Sequence, residues 1–197
     1  MHTQQERVFL FIDGISVYVI SRALGIDIDY KLLLEHFRRD HYVVRATYYT
    51  TLTEEQETTS MRPLIDWLDY NGFRILTKPL REFTDNQGRR KVKGSIDIEL
   101  CVDFLEAADQ ADHLILFSGD GNFRRMVEAV QNKGKRVTVV SSLTTQPPII
   151  SDELRRQADH FVGMADLLKQ ISPAAVVLKT DEDMRPAKKE MEPEMAE

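Results

Sequence analysis

This chain has one cysteine and one tryptophan, and no apolar stretch long enough to span a membrane. A single thiol, Cys101, excludes a disulfide framework and fits a reducing compartment. The first residues, Met1-His2-Thr3-Gln4-Gln5-Glu6, lack the basic and apolar parts of an export signal. The expected location is therefore the cytoplasm, with no membrane partner. Positive charge is also short, with 26 Lys and Arg against 32 Asp and Glu for a net charge of −6. That balance excludes a generally basic nucleic-acid binder, so any nucleic acid would have to be held by local patches. Among the histidines (His2, His36, His41, His113, His160) no pair has metal-ligand spacing, and internal repeats are missing.

What remains supports a real core: 197 residues, of which 42% are hydrophobic. That is enough for one α/β domain and a tail. Residues 172–197 hold four basic and seven acidic side chains, so tail and body each carry a net −3. The tail is charged, aperiodic and poor in large apolar residues, and is expected to be disordered. The domain is expected to occupy residues 1–171.

Two apolar runs dominate the body. Val8-Phe9-Leu10-Phe11-Ile12 ends in Asp13-Gly14, and Leu114-Ile115-Leu116-Phe117 ends in Ser118-Gly119-Asp120. Such runs mark strands buried on both faces of a parallel sheet. Further strands are expected at 42–51, 73–77 and 136–140. Helices are expected at 15–24, 30–39, 61–70, 96–110, 121–132, 152–157 and 163–170. Asp29 and Ser151 serve as N-caps, while Gly25 and Asn71-Gly72 are stops. Thr53-Glu54-Glu55-Gln56 has the form of a capping box. Residues 79–94, with a basic second arm, have the turn chemistry of a hairpin or loop. The alternation predicts a three-layer α/β sandwich with a mostly parallel, Rossmann-like central sheet of about five strands.

Carboxylates then stand out by position. Asp13 and Asp120 end strands, where an open α/β sheet keeps its ligand crevice at the reversal of strand order. Asp97 opens the long helix. Hard divalent cations take oxygen ligands, usually a few carboxylates completed by water, and can activate water against a phosphodiester. Each acid also has a plainer role. Asp97, two residues after Ser95, complements the helix dipole. Asp13 and Asp120 can bond backbone amides in strand-to-helix turns. Asp103 lies six residues beyond Asp97 on another helix face and is an outer candidate. Arg89, Arg90, Lys91 and Lys93 precede Asp97 and suit a phosphate backbone. Arg124 and Arg125 follow Asp120 at a helix start that attracts anions. Arg155 and Arg156 are further contacts, and any one of these basic pairs taken alone fits a solvated surface better. Tyr48, Tyr49 and Phe83 suit base stacking or the core, and Cys101 suits packing.

Taken together, Phe11-Ile12-Asp13-Gly14, Lys93-Gly94-Ser95-Ile96-Asp97 and Ser118-Gly119-Asp120-Gly121-Asn122-Phe123 resemble the NYN domain in its bacterial LabA-like branch, over about residues 7–170. NYN domains resemble PIN-like metal-dependent ribonucleases. The resemblance implies a PIN-like fold and a site in which Asp13, Asp97 and Asp120 hold Mg2+ or Mn2+. It implies water as nucleophile and single-stranded RNA as substrate, with Ser16, Ser118 and Asn122 as accessory polar groups. Two positions depart from the family pattern. Asp13-Gly14-Ile15-Ser16 stands where Asp-Gly-x-Asn is usual, and Asn122 where a second Asp is frequent. Two functions therefore stand side by side: a ribonuclease, or a catalytically degenerate module that binds RNA or a protein partner. A homodimer and a partner engaged through the tail are further expectations.

Overall fold

The computed structural model describes residues 5–53, 61–84 and 90–171, the side chains of 82, 84 and 90–93 excepted. Its centre is a parallel sheet of six strands: β1 (Arg7–Asp13), β2 (Tyr42–Leu52), β3 (Arg74–Pro79), β6 (His113–Phe117), β7 (Arg136–Ser141) and β8 (His160–Gly163). The order across the sheet is β3-β2-β1-β6-β7-β8. Alternate residues of the buried strands serve opposite faces, as the two-residue strand period requires. Phe9, Phe11, Leu114, Leu116, Val137 and Val139 pack with α4 (Asp97–Ala107), α5 (Arg124–Gln131) and α6 (Asp152–Gln157). Leu10, Ile12, Ile115, Phe117 and Val140 pack with α1 (Gly14–Leu24), α2 (Tyr30–Asp40), α3 (Arg62–Tyr70) and α7 (Met164–Ile171). The three-layer sandwich is thus observed, with one strand more than expected.

The extra strand is β8. It is four residues long and half-buried, and its sequence His160-Phe161-Val162-Gly163 carries too short an apolar run to register alone. Pairing with Thr138–Ser141 of β7 makes it a strand. Residues 81–84 and 90–93 form the antiparallel hairpin β4–β5. The hairpin tip, the Thr53–Gln56 capping box beyond its first residue and the 172–197 tail lie outside the described residues. Caps follow the sequence reading: Asp29 accepts from the Leu32 amide, Ser151 from Leu154, and Gly25 ends α1 in the left-handed conformation.

The topology has one functional consequence. After β1 the chain builds β2 and β3 outward on one side, then returns to place β6 against β1 on the other. The reversal therefore lies between the C-terminal ends of β1 and β6, where Asp13 and the Ser118-Gly119-Asp120 turn emerge.

At the opposite edge of the sheet, His113 is buried with its Nε2 2.8 Å from Thr138 Oγ1. Its Nδ1 faces Arg136 at 3.4 Å and Glu6 at 3.6 Å, and His41 approaches the same Glu6 carboxylate at 3.4 Å. Burial, followed by the Arg136 charge, pushes His113 down to about 4. An unfolded histidine titrates near ~6.5. The folded group is thus depressed, and stability held above that pH is lost as pH falls toward 4, by up to ~3 kcal/mol. Replacing His113 by Asn should flatten the stability–pH profile across this window. An unchanged slope in chemical denaturation would place the acid-sensitive group elsewhere.

Candidate functional site

Asp13 is the last residue of β1 and the N-cap of α1. Its Oδ1 accepts the amides of Ile15 and Ser16, each at 3.2 Å. Its Oδ2 accepts two hydroxyls, Ser16 Oγ at 2.6 Å and Ser118 Oγ at 2.7 Å. The two hydroxyls are 3.2 Å apart. Ser118 also accepts the Asp120 amide at 3.2 Å, so it ties the end of β1 to the turn after β6. Gly14 lets α1 start directly on the Tyr48 ring, because a Cβ there would come within 2.6 Å of it.

Asp120 caps the 3-10 turn Gly121–Phe123 that leads into α5. Its two oxygens accept from one residue, the Asn122 amide at 2.9 Å and the Asn122 side-chain Nδ2 at 3.2 Å. Space rather than dihedral angle demands glycine here. Gly119 and Gly121 do not have positive φ, but a Cβ on either would meet the strap 149–151 that crosses the turn.

Asp97 is the first residue of α4, and its amide is bonded by Ser95 Oγ at 3.1 Å. One turn further on, Cys101 feels both Asp97 and Asp120. Burial first, and then the two carboxylates, push its pKa up, so it remains a thiol. Asp97 and Asp120 therefore both lie near Cys101, while Ser118 donates to Asp13 and accepts the Asp120 amide. All three acids are half-buried at the C-terminal edge of the sheet.

Asp103 points toward β2 and β3, where it accepts Tyr49 Oη at 2.9 Å and pairs with Arg74 at 3.1 Å. Beside it Lys78 and Glu99 pair at 2.7 Å. Tyr48 and Tyr49 are buried, so neither ring is open to a base, whereas Phe83 is exposed. Arg124 is held by Gln157 at 3.1 Å and shares Glu128 with Arg125, whose own contact is 2.7 Å. Arg155 lies over the Phe161 ring at 5.5 Å and Arg156 pairs with Asp152. Arg90, Lys91 and Lys93 lie on β5, with their side chains, like all of Arg89, outside the described residues. Sequence reading missed the Ser16–Asp13–Ser118 hydroxyl clasp as a unit, because it joins residues 102 and 105 positions apart.

The donor set of carboxylate, hydroxyl and amide oxygen suits a hard divalent cation. The arrangement is less complete. Among the described residues no group of three or more His, Cys, Asp or Glu gathers as it would to hold a metal ion.

The NYN domain family model matches residues 7–167. The low amplitude and bright protein LabA of Synechococcus elongatus is 32% identical over 171 residues, 85% of this chain and 88% of that protein. A crystal structure of a protein of unknown function from Vibrio parahaemolyticus superposes with a TM-score of 0.70 at 27% identity, covering 85% of this chain and 98% of that one. NYN domains form part of the PIN-like nuclease superfamily, generally depend on divalent metal and generally bind RNA. Among the described residues no helix is long and apolar enough to cross a membrane.

Proposed function

The chain belongs to the NYN domain family, and from that premise we propose that it is a divalent-metal-dependent ribonuclease acting on single-stranded RNA. The observation that supports this most is Ser118 joining the Asp13 carboxylate to the Asp120 backbone amide at the strand-order reversal, with Asp97 opening α4. Asp13, Asp97 and Asp120 would hold Mg2+ or Mn2+. A bound divalent ion would there supply an acidified water and neutralise charge developing on the phosphodiester. The chain's own part is to hold these carboxylates at rigid element ends, with the Ser16 and Ser118 hydroxyls orienting Asp13. The basic arm of β5 precedes Asp97 in sequence and would carry the RNA backbone.

One observation favours a second reading, a module that binds RNA or protein without cutting. Each oxygen of Asp13 and Asp120 already accepts a hydrogen bond from the chain itself. Incubation of a labelled unstructured RNA with Mg2+ or Mn2+ separates the two. Chelator-sensitive cleavage is expected, and binding without cleavage under any divalent ion would leave the second reading standing.

Asn122 gives a sharper check. It occupies both oxygens of Asp120 by donation, and an aspartate there would instead bring a second charge. Asn122→Asp should slightly lower the melting temperature without metal, by like-charge repulsion, and raise the Mg2+-induced increase. A tenfold tighter site adds ~1.4 kcal/mol of linkage at saturating ion. An identical Mg2+ response in the two proteins would remove Asn122 from the metal site.

A further inference from the structure

Beside α4 lies a cleft that the proposed metal site does not use. The helix packs over β1, with Phe104 on Phe11 at 4.7 Å between ring centres, and the same face of β2 and β3 opens next to it. The cavity there is about 170 Å3, with Phe9 and Phe11 in its floor. Strand alternation brings Arg45 and Tyr49 to this face, the helical period lines up Asp103 and Glu106 on the facing wall, and Gln110 joins them from the turn after α4.

The two ends of the cleft differ. At one, Asp103 is tied by Tyr49 and Arg74 and is rigid. At the other, the Arg45, Glu106 and Gln110 side chains have no hydrogen-bond or ion-pair partner among the described residues. An exposed guanidinium, carboxylate and amide without partners therefore line one cavity together with Phe9 and Phe11. That combination suits a flat heteroaromatic ring with donors and acceptors on its edge. The volume lies below the ~300 Å3 at which drug-sized pockets begin, so it takes a single base and leaves sugar and phosphate outside. The carboxylates of Asp103 and Glu106 also disfavour a phosphate in the cleft.

We propose that this cleft is a binding pocket for one guanine base. Among the RNA bases, guanine alone sets two N–H donors, N1–H and N2–H, side by side for a carboxylate. Its O6 and N7 form the acceptor pair that a guanidinium reads bidentately. Glu106 takes the first edge and Arg45 the second, with Gln110 completing the rim. Glu106 is nine residues, about 14 Å, along α4 from Asp97. On the ribonuclease reading, the bound base belongs to the substrate strand within a few nucleotides of the scissile bond. Binding itself does not depend on that reading.

The test is calorimetric titration of the metal-free full chain with the four nucleoside 5′-monophosphates and with UUGUU, UUAUU, UUCUU and UUUUU. Guanine ligands are expected to bind at least ~10-fold tighter than the others, the discrimination of one bidentate pair. Glu106→Gln and Arg45→Ala should each remove about that factor. Both positions are exposed, so the melting temperature should stay put. Tighter binding of UUGUU than of guanosine monophosphate assigns the pocket to a strand, and equal affinity assigns it to a free nucleotide. Equal affinity for all four bases, no binding, or an unaltered guanine preference in Glu106→Gln overturns the proposal. Asp13→Asn should keep the preference whatever it does to cleavage, so failure of the pocket and failure of the nuclease are told apart.

Discussion

Alanine at Gly119 is expected to destabilise the protein by at least ~3 kcal/mol, beyond the usual range of point substitutions. The residue is buried, and an added Cβ would stand 1.6 Å from the Ile149 carbonyl oxygen and 2.9 Å from Ser141 Oγ. Side chains can rotate out of such a clash, but a backbone carbonyl cannot. Moving it would strain the strap bonds Ser151 N–H to Gly119 O, 3.0 Å, and Ile149 N–H to Ser142 O, 3.0 Å. At ~2–4 °C per kcal/mol for a chain of this size, the melting temperature should fall by roughly 10 °C. Gly121→Ala is the internal control. Its Cβ would meet Ser151 Oγ at 2.9 Å, a hydroxyl that can turn, so the loss should be smaller. A Gly119→Ala protein melting within ~2 °C of wild type would mean that the strap does not lie on the turn as described. Because Asp120 follows directly, any displacement of the strap also disturbs the proposed site.

How much of this could be seen beforehand depends on whether the signal was local. β1 and β6 were legible because runs of five (Val8–Ile12) and four (Leu114–Phe117) consecutive apolar residues mark strands buried on both faces, and each run led to an acid whose place at the sheet edge followed. Helices with a side-chain cap, such as Tyr30–Asp40 behind Asp29, were legible to within a residue. β8 was not, because Phe161 and Val162 alone do not distinguish an edge strand from a loop until β7 lies alongside. Nor was the expected helix 121–132 one element: its first turn is 3-10, where Asp120 holds the Asn122 amide. Long-range polar pairs were the least legible. Ser118 to Asp13, Arg74 to Asp103 and His113 to Glu6 depend on strand order and register, which no local pattern encodes. The family motifs supplied the three acids as a set. They also supplied Ser16, Ser118 and Asn122 as accessory polar groups, but not that these donate to Asp13 and Asp120 and occupy their oxygens.

That occupancy makes Asp13 the position where stability and activity can be separated. Asp13→Asn should keep the fold and lose the chemistry. Asparagine is as good an N-cap as aspartate, so its amide oxygen can retain the Ile15 and Ser16 amides that Oδ1 accepts. Its NH2 group replaces Oδ2 and can donate to the Ser16 and Ser118 oxygens, which then turn their own protons outward. The expected cost is ~1 kcal/mol or less. Asp13→Ala removes the cap and strands both hydroxyls at a half-buried site, at a cost of ~2–4 kcal/mol. If Asp13 holds the metal, both variants lose a charged ligand, and a loss of ~3–4 kcal/mol of transition-state stabilisation lowers cleavage by ~10²–10³-fold. The decisive comparison is Asn against wild type, by melting temperature and by cleavage of the same RNA across a Mg2+ series. A folded Asn variant that cleaves at the wild-type rate removes Asp13 from the chemistry. It would leave the carboxylate as the cap and hydroxyl clasp that joins β1 to the turn after β6.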